Sequence, residues 1–95
     1  MAKSDRWEEV RDGVLLAFGA DLKDFRTGAG LTHRELGERS QMHGTEIGLL
    51  ERGQREPRLG TMLKLAVALD VPFERLTETP VGHFGYQAAR GWQAK

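Results

Sequence analysis

The apolar residues of this chain recur mostly at helical intervals, and this pattern predicts an all-α fold, a compact bundle of about five short helices. From Val14 to Phe25 the apolar positions fall three or four residues apart with charged residues between them, which indicates a first helix. The glycines of Gly28-Ala29-Gly30 end this helix. They do not begin a Gly-x-Gly-x-x-Gly phosphate-binding loop, because His33 occupies the third glycine position and no strand precedes them.

The stretch from Leu31 to Ser40 predicts a second helix. Thr32 and Glu35 have the spacing of a capping box, in which each side chain accepts a hydrogen bond from the other residue's backbone amide. The apolar period is lost near Ser40, where a polar segment with a glycine follows, so the helix ends there and a tight turn begins.

A third helix follows the turn and spans about residues 43–52. Ile47 and Leu50 lie three residues apart and give this helix an apolar side for the core. Gly53 stands where a left-handed C-terminal cap is needed, so the helix ends just before it.

Two further helices and two terminal segments complete the predicted organisation. Leu59 to Leu69 form a strongly apolar fourth helix at the centre of the core, and the apolar residues after Pro72 predict a short fifth helix. The domain therefore covers residues 14–79, between an N-terminal extension of residues 1–13 and a C-terminal tail of residues 80–95. The tail is apolar and either dimerises, packs on its own domain or binds a protein partner; its large apolar residues are Val81, Phe84, Tyr86 and Trp92.

Composition narrows the class of protein. Ninety-five residues suit one small domain with a marginal core, which dimerisation would stabilise. The chain has no cysteine and no apolar run of membrane-spanning length, so we expect a cytoplasmic protein without disulfides and without membrane association. Fourteen basic residues balance fourteen acidic residues, and binding to nucleic acid would therefore require a local basic surface.

Several short motifs follow one another along the chain. Arg26 precedes Gly30-Leu31-Thr32, Glu51-Arg52-Gly53 ends the third helix, and Pro57 leads into Thr61-Met62-Leu63-Lys64-Leu65-Ala66. Over roughly residues 18–76 these features resemble the lambda-repressor/Cro-type (XRE-like) helix-turn-helix family of DNA-binding regulators. The resemblance implies a sequence-specific transcriptional regulator that binds double-stranded DNA, with the third helix in the major groove.

The resemblance also implies which residues contact bases. The side of the third helix that faces away from Ile47 and Leu50 carries His43, Gly44, Thr45, Glu46 and Leu49. Thr45 suits a thymine methyl group and Glu46 a cytosine amino group, whereas Gly44 and Leu49 cannot form bidentate hydrogen bonds. Gly44 suits a helix start better than a base contact, and for His43 a solvent-exposed role is equally compatible.

Contacts to the DNA backbone are expected from four residues, which are His33, Arg52, Arg55 and Arg58. His33 stands where the family often has a glutamine, although an exposed surface role is equally compatible with its position. For Arg52 and Arg58, too, a phosphate contact and an exposed surface role are equally compatible. For Arg55, in the loop after the third helix, the phosphate contact is preferred. In similar domains an arginine of the first helix pairs with the glutamate that ends the third, which implies a structural ion pair between Arg26 and Glu51.

An enzyme finds little support in the sequence. The three histidines have no metal-ligand spacing, and no nucleophile stands beside a base in a recognisable motif, so we expect neither a cofactor nor a metal. The preferred hypothesis is a homodimer on a two-fold operator. The rival hypothesis keeps the same scaffold as a protein-interaction module with weak or no DNA binding, because of the zero net charge, Gly44, Leu49 and the apolar tail.

Overall fold

The computed structural model describes residues 2–78, and the side chains from residue 7 onwards. The five helices are α1 (Ala2–Gly28), α2 (His33–Ser40), α3 (Gly44–Glu51), α4 (Leu59–Leu69) and α5 (Phe73–Thr77). Residues 2–78 contain no strand. The predicted all-α fold of about five helices is thus confirmed, with α2, the turn and α3 at the predicted positions.

Helix α1 is longer than the apolar pattern predicted. It begins at Ala2 and runs without interruption to Gly28, so the predicted start at Val14 was wrong and residues 2–13 continue the helix. Gly13 does not break it, because a single glycine costs a helix only about 1 kcal/mol and contacts elsewhere offset that cost. The division into an extension, a domain of residues 14–79 and a tail stays a prediction, and residues 79–95 lie outside the described part of the chain.

All five helices contribute to one hydrophobic core. Helix α3 packs against α1 and α2, α4 packs against α2 and α5, and α5 also contacts α1. The fully and nearly buried apolar residues that form the core are Phe18, Leu22, Leu31, Leu36, Ile47, Leu50, Leu65, Ala66, Leu69 and Leu76. Because α3 lies between α1 and α2, its orientation is determined by packing on two sides.

Helix α4 buries only one side. Leu65 is fully buried, but Leu59 is 62% exposed, Leu63 47% and Val67 80%. These three residues stand four apart, so they form a stripe on one face of the helix, which we call the α4 stripe. The prediction that α4 is the centre of the core was therefore wrong for Leu59 and Leu63.

Gly19 determines how closely α1 approaches the end of α3. A Cβ atom at Gly19 would lie 2.5 Å from the carbonyl oxygen of Leu50, so only glycine permits this contact.

Gly53, at the end of α3, has a φ of 70°. Its N–H donates to the carbonyl of Leu50 (3.1 Å), and the N–H of Gln54 donates to the carbonyl of Leu49 (2.9 Å). This Schellman motif confirms the predicted left-handed cap.

Candidate nucleic-acid interface

The start of α2 is held by the predicted capping box. The backbone N–H of Glu35 donates to Oγ1 of Thr32 (3.1 Å), and the N–H of Thr32 donates to Oε1 of Glu35 (2.9 Å). The box satisfies two backbone donors at this helix end, where the helix dipole favours an anion.

The turn between α2 and α3 is unusually tight because of a glycine in α2. Gln41 adopts the left-handed conformation with φ 62°, and the N–H of Met42 donates to the carbonyl of Gly37 (2.7 Å). A Cβ atom at Gly37 would lie 2.5 Å from the Met42 carbonyl oxygen. Met42 itself packs against the core, although the sequence around it is polar. The turn is therefore anchored at Met42, and this anchor sets the direction of α3.

Helix α3 separates a buried side from an outward side. Ile47, Gly48 and Leu50 are buried. The residues predicted to contact bases lie on the other side: His43 and Thr45 are exposed, while Gly44, Glu46 and Leu49 are partly exposed.

Two of these outward positions gain a clearer local role. His43 is the N-cap of α3, but its side chain makes no capping hydrogen bond, which leaves the exposed imidazole available for an external contact. A Cβ atom at Gly44 would lie 3.1 Å from the backbone nitrogen and the Cα atom of Arg34. Gly44 therefore lets the start of α3 approach the first turn of α2, which agrees with the helix-start interpretation.

An open hollow of about 470 Å³ lies where the starts of α2 and α3 meet. Its lining residues are His33, Arg34, Gly44, Thr45, Gly48 and Arg52. Residues from two helix starts and two arginines thus line one concave surface, and a helix start and arginine side chains both favour an anion such as a phosphate. The sequence analysis missed Arg34. Its position two residues after the Thr32 cap, in the first turn of α2, is the signal that points to it.

The predicted phosphate-binding arginines take different positions. Arg52 donates from Nε to Oε1 of Gln54 (3.1 Å) and lies at the hollow. Arg58 is exposed at the N-cap of α4. Arg55 instead pairs with the predicted base-contacting residue Glu46, with 3.8 Å between Nη1 and Oε2. The sequence analysis did not find this pair.

The structure joins Arg26 and Glu51 beneath this surface. Arg26 donates from Nη2 to Oε1 of Glu51 (3.1 Å) and from Nη1 to the carbonyl of Leu31 (2.8 Å), and its Nε also contacts the carboxylate. The two side chains are only 9% and 5% exposed. His33 adds a third contact, with its Nε2 3.0 Å from Oε1 of Glu51, so the ring is attached to this network.

Both members of the buried pair have shifted pKa values. The hydrogen bond to Glu51 raises the pKa of Arg26 above its ordinary value, although burial alone would lower it. Burial alone would raise the pKa of Glu51, but the hydrogen bonds from Arg26 and His33 outweigh burial, and the pKa lies below its ordinary value. Both groups are therefore charged at neutral pH.

Residues 2–78 bring together no group of three or more histidine or acidic side chains that could hold a metal ion. Nor does any helix within that range have the length and apolar character needed to cross a membrane.

Helices α2 and α3 are joined by a tight turn and α3 keeps one side outward, which is the helix-turn-helix arrangement of DNA-binding proteins. The chain belongs to the helix-turn-helix domain family, whose sequence model matches residues 17–78. It is a DNA-binding transcription regulator and not an enzyme.

The solved structures that are similar to this chain include two bacterial regulators. The restriction-modification controller protein C.AhdI from Aeromonas hydrophila shares 40% identity with a TM-score of 0.64, over 65% of this chain and 94% of that one. The clp gene regulator ClgR from Corynebacterium glutamicum shares 31% identity with a TM-score of 0.69, over 85% of this chain and 86% of that one. No curated protein sequence matches the chain.

Proposed function

We propose that this regulator places α3 in the major groove of duplex DNA and binds a two-fold operator as a homodimer. The observation that carries the proposal is the surface shared by α2 and α3. Thr45, Glu46 and Leu49 face outward on α3, and the adjacent hollow is lined by two helix starts with Arg34 and Arg52, which suit a phosphate of the same duplex.

Base contacts on this surface are few. The methyl group of Thr45 and the side chain of Leu49 suit thymine methyl groups, His43 can donate or accept a hydrogen bond, and the Glu46 carboxylate accepts from a cytosine amino group. Gly44 allows a close approach but offers no side chain. Contacts to the DNA backbone therefore supply much of the affinity, and a small number of bases sets the preference.

The backbone contacts come from residues around the hollow and from the loop after α3. Arg34 and Arg52 line the hollow, and Arg55 and Arg58 are exposed beyond α3. His33 is half-exposed and already bonded to Glu51, so it reaches a phosphate only with the part of the ring that Glu51 leaves open.

The homodimer is part of this proposal, and the burial of the apolar residues bears on where its interface lies. The apolar residues of α5 and of the segment before it already pack in their own domain, because Leu76 is fully buried and Val71 and Phe73 pack against the core. The tail, for which dimerisation was one of three alternatives, lies outside the described residues. The α4 stripe, in contrast, is apolar and exposed, which supports association with a second copy.

The two similar proteins do not identify the genes that this chain regulates. C.AhdI controls a restriction-modification system and ClgR regulates clp genes. By analogy we propose gene control by operator binding, in the cytoplasm, without assigning the chain to either system. The family assignment favours this function over the rival hypothesis of a protein-interaction module.

The test is salt-dependent binding to duplex DNA. Because the net charge is zero, a steep loss of affinity with salt requires a local basic face. Arg55→Ala should weaken binding to the preferred duplex and lower the logarithmic salt slope there by about 0.9 for the lost phosphate contact. Thr45→Ala should cost roughly 1 to 3 kcal/mol on the preferred site and little on unrelated DNA.

The preferred site comes from selection among random duplexes, and a motif with two-fold symmetry is expected for a homodimer. A motif without symmetry would contradict the dimer. A folded protein that binds no duplex at low salt would contradict the function itself.

A further inference from the structure

The pair between Glu46 and Arg55 joins a residue that we assign to a base with one that we assign to a phosphate. Glu46 lies in the first turn of α3 and Arg55 in the loop after it, and their side chains are 36% and 52% exposed. At 3.8 Å the two groups attract each other without a close hydrogen bond. The contact is therefore weak enough to exchange for another partner.

DNA competes for both members of this pair. A phosphate attracts Arg55 away from Glu46, and the Glu46 carboxylate then faces the negative duplex without its cation. A carboxylate desolvated in this way costs free energy unless another donor replaces the guanidinium. In the major groove only the cytosine and adenine amino groups are donors, and a carboxylate suits the cytosine amino group.

We propose that Glu46 determines specificity by holding Arg55 away from phosphate until a base donor replaces it. This inference rests on the proposed DNA binding. Opposite a cytosine amino group, Glu46 exchanges Arg55 for that donor and Arg55 binds the phosphate. Where unrelated DNA places no cytosine amino group opposite Glu46, either the pair stays closed and one phosphate contact is lost, or it opens and leaves the carboxylate unpaired.

The exchange lowers affinity for unrelated DNA more than affinity for the operator. This matters in a protein without net positive charge, where one phosphate contact is a large share of the electrostatic attraction. Arg34 has a similar neighbour in Glu38, at 3.4 Å, but that pair lies within one turn of α2 and its carboxylate is not on the base-contacting helix. Of the two glutamates, Glu46 and Glu38, only Glu46 couples phosphate binding to a base.

The variant Glu46→Gln tests the proposal, because it removes the charge and keeps an oxygen that accepts a hydrogen bond from cytosine. Affinity is measured by fluorescence anisotropy on the selected duplex and on an unrelated duplex across a salt series. On unrelated DNA we expect about a twofold to fivefold gain, the size expected of an exposed ion pair. The salt slope on that DNA should steepen by up to about 0.9. On the selected duplex affinity should not rise.

Two controls separate the pair from a general change in charge. Glu56→Gln makes the same charge change in the loop that contains Arg55. Glu56 is exposed and forms no ion pair with any of the described residues. Its effect on unrelated DNA should be much smaller. Glu46→Gln should also leave the salt slope unchanged in an Arg55→Ala background, since no cation remains to be released.

Equal gains from Glu46→Gln and Glu56→Gln would overturn the proposal, as would an undiminished effect in the Arg55→Ala background. A gain on the selected duplex as large as that on unrelated DNA would also overturn it. These failures differ from failure of the proposed function. If wild-type protein binds and Arg55→Ala weakens it, only the role of Glu46 is in question, whereas absence of salt-dependent binding by wild-type protein would overturn both.

Discussion

Helix α3 carries an ion pair at each end, and the two pairs have opposite properties. At its C-terminal end Glu51 meets Arg26 with side chains 5% and 9% exposed, held by several hydrogen bonds. Near its start Glu46 meets Arg55 with side chains 36% and 52% exposed, at 3.8 Å. Each pair consists of one glutamate and one arginine from a different segment, so composition does not distinguish them.

Burial makes the difference. Both partners of the inner pair have lost water, so each depends on the other and the pair is permanent. The outer pair keeps much of its hydration, and either partner can be replaced by water, salt or a DNA group at small cost. The inner pair therefore fixes α3 in the domain, while the outer pair is suited to change when α3 meets its ligand.

The largest difference is expected when each glutamate is truncated. Glu51→Ala leaves Arg26 buried and unpaired and should lower the free energy of unfolding by roughly 3 to 5 kcal/mol. Glu46→Ala should lower it by less than about 1 kcal/mol, because the pair is exposed. Urea denaturation measures both. Equal midpoints would show that the inner pair is no more important than the outer one.

A smaller effect is expected where α1 packs against the inner end of α3. Gly19→Ala places a Cβ atom against the backbone carbonyls of Leu50 and Glu51 and should cost about 1 to 3 kcal/mol. Gly60→Ala is the matched control, since a Cβ there would meet no atom within 4 Å beyond its own helical turns. Alanine at this position should raise the free energy of unfolding by up to about 1 kcal/mol. Thermal unfolding compares them, and a neutral Gly19→Ala would mean that α1 and α3 separate easily.

The smallest effect concerns pH. The pKa of Glu51 is lowered in the folded state, so its stabilising contribution is complete above the unfolded pKa of about 4.3 and is lost as pH falls through the folded value. The difference in unfolding free energy between wild type and Glu51→Gln should thus be smaller near about pH 3 than near about pH 7. Urea denaturation at both pH values provides the measurement, and a difference that does not change with pH would contradict the shifted pKa.

Local features of the sequence were sufficient to predict much of the fold. The capping box of Thr32 and Glu35 and the left-handed Gly53 depend on residues within a few positions of one another, so their geometry follows from the nearby chain. The spacing of Ile47 and Leu50 likewise identified the buried side of α3, and hence the side that faces outward.

Other features follow only from the packing of distant segments. Leu59 and Leu63 have the apolar character of core residues, yet no described segment covers that side of α4. The contact of His33 with Glu51 and that of Glu46 with Arg55 depend on the angle between α2 and α3 and on the path of the loop. The sequence by itself determined which sides of the helices are apolar and where the helices end, because both depend on nearby residues. The tertiary structure decided the contacts of His33 with Glu51 and of Glu46 with Arg55, and which apolar side remains uncovered, because none of these depends on local spacing.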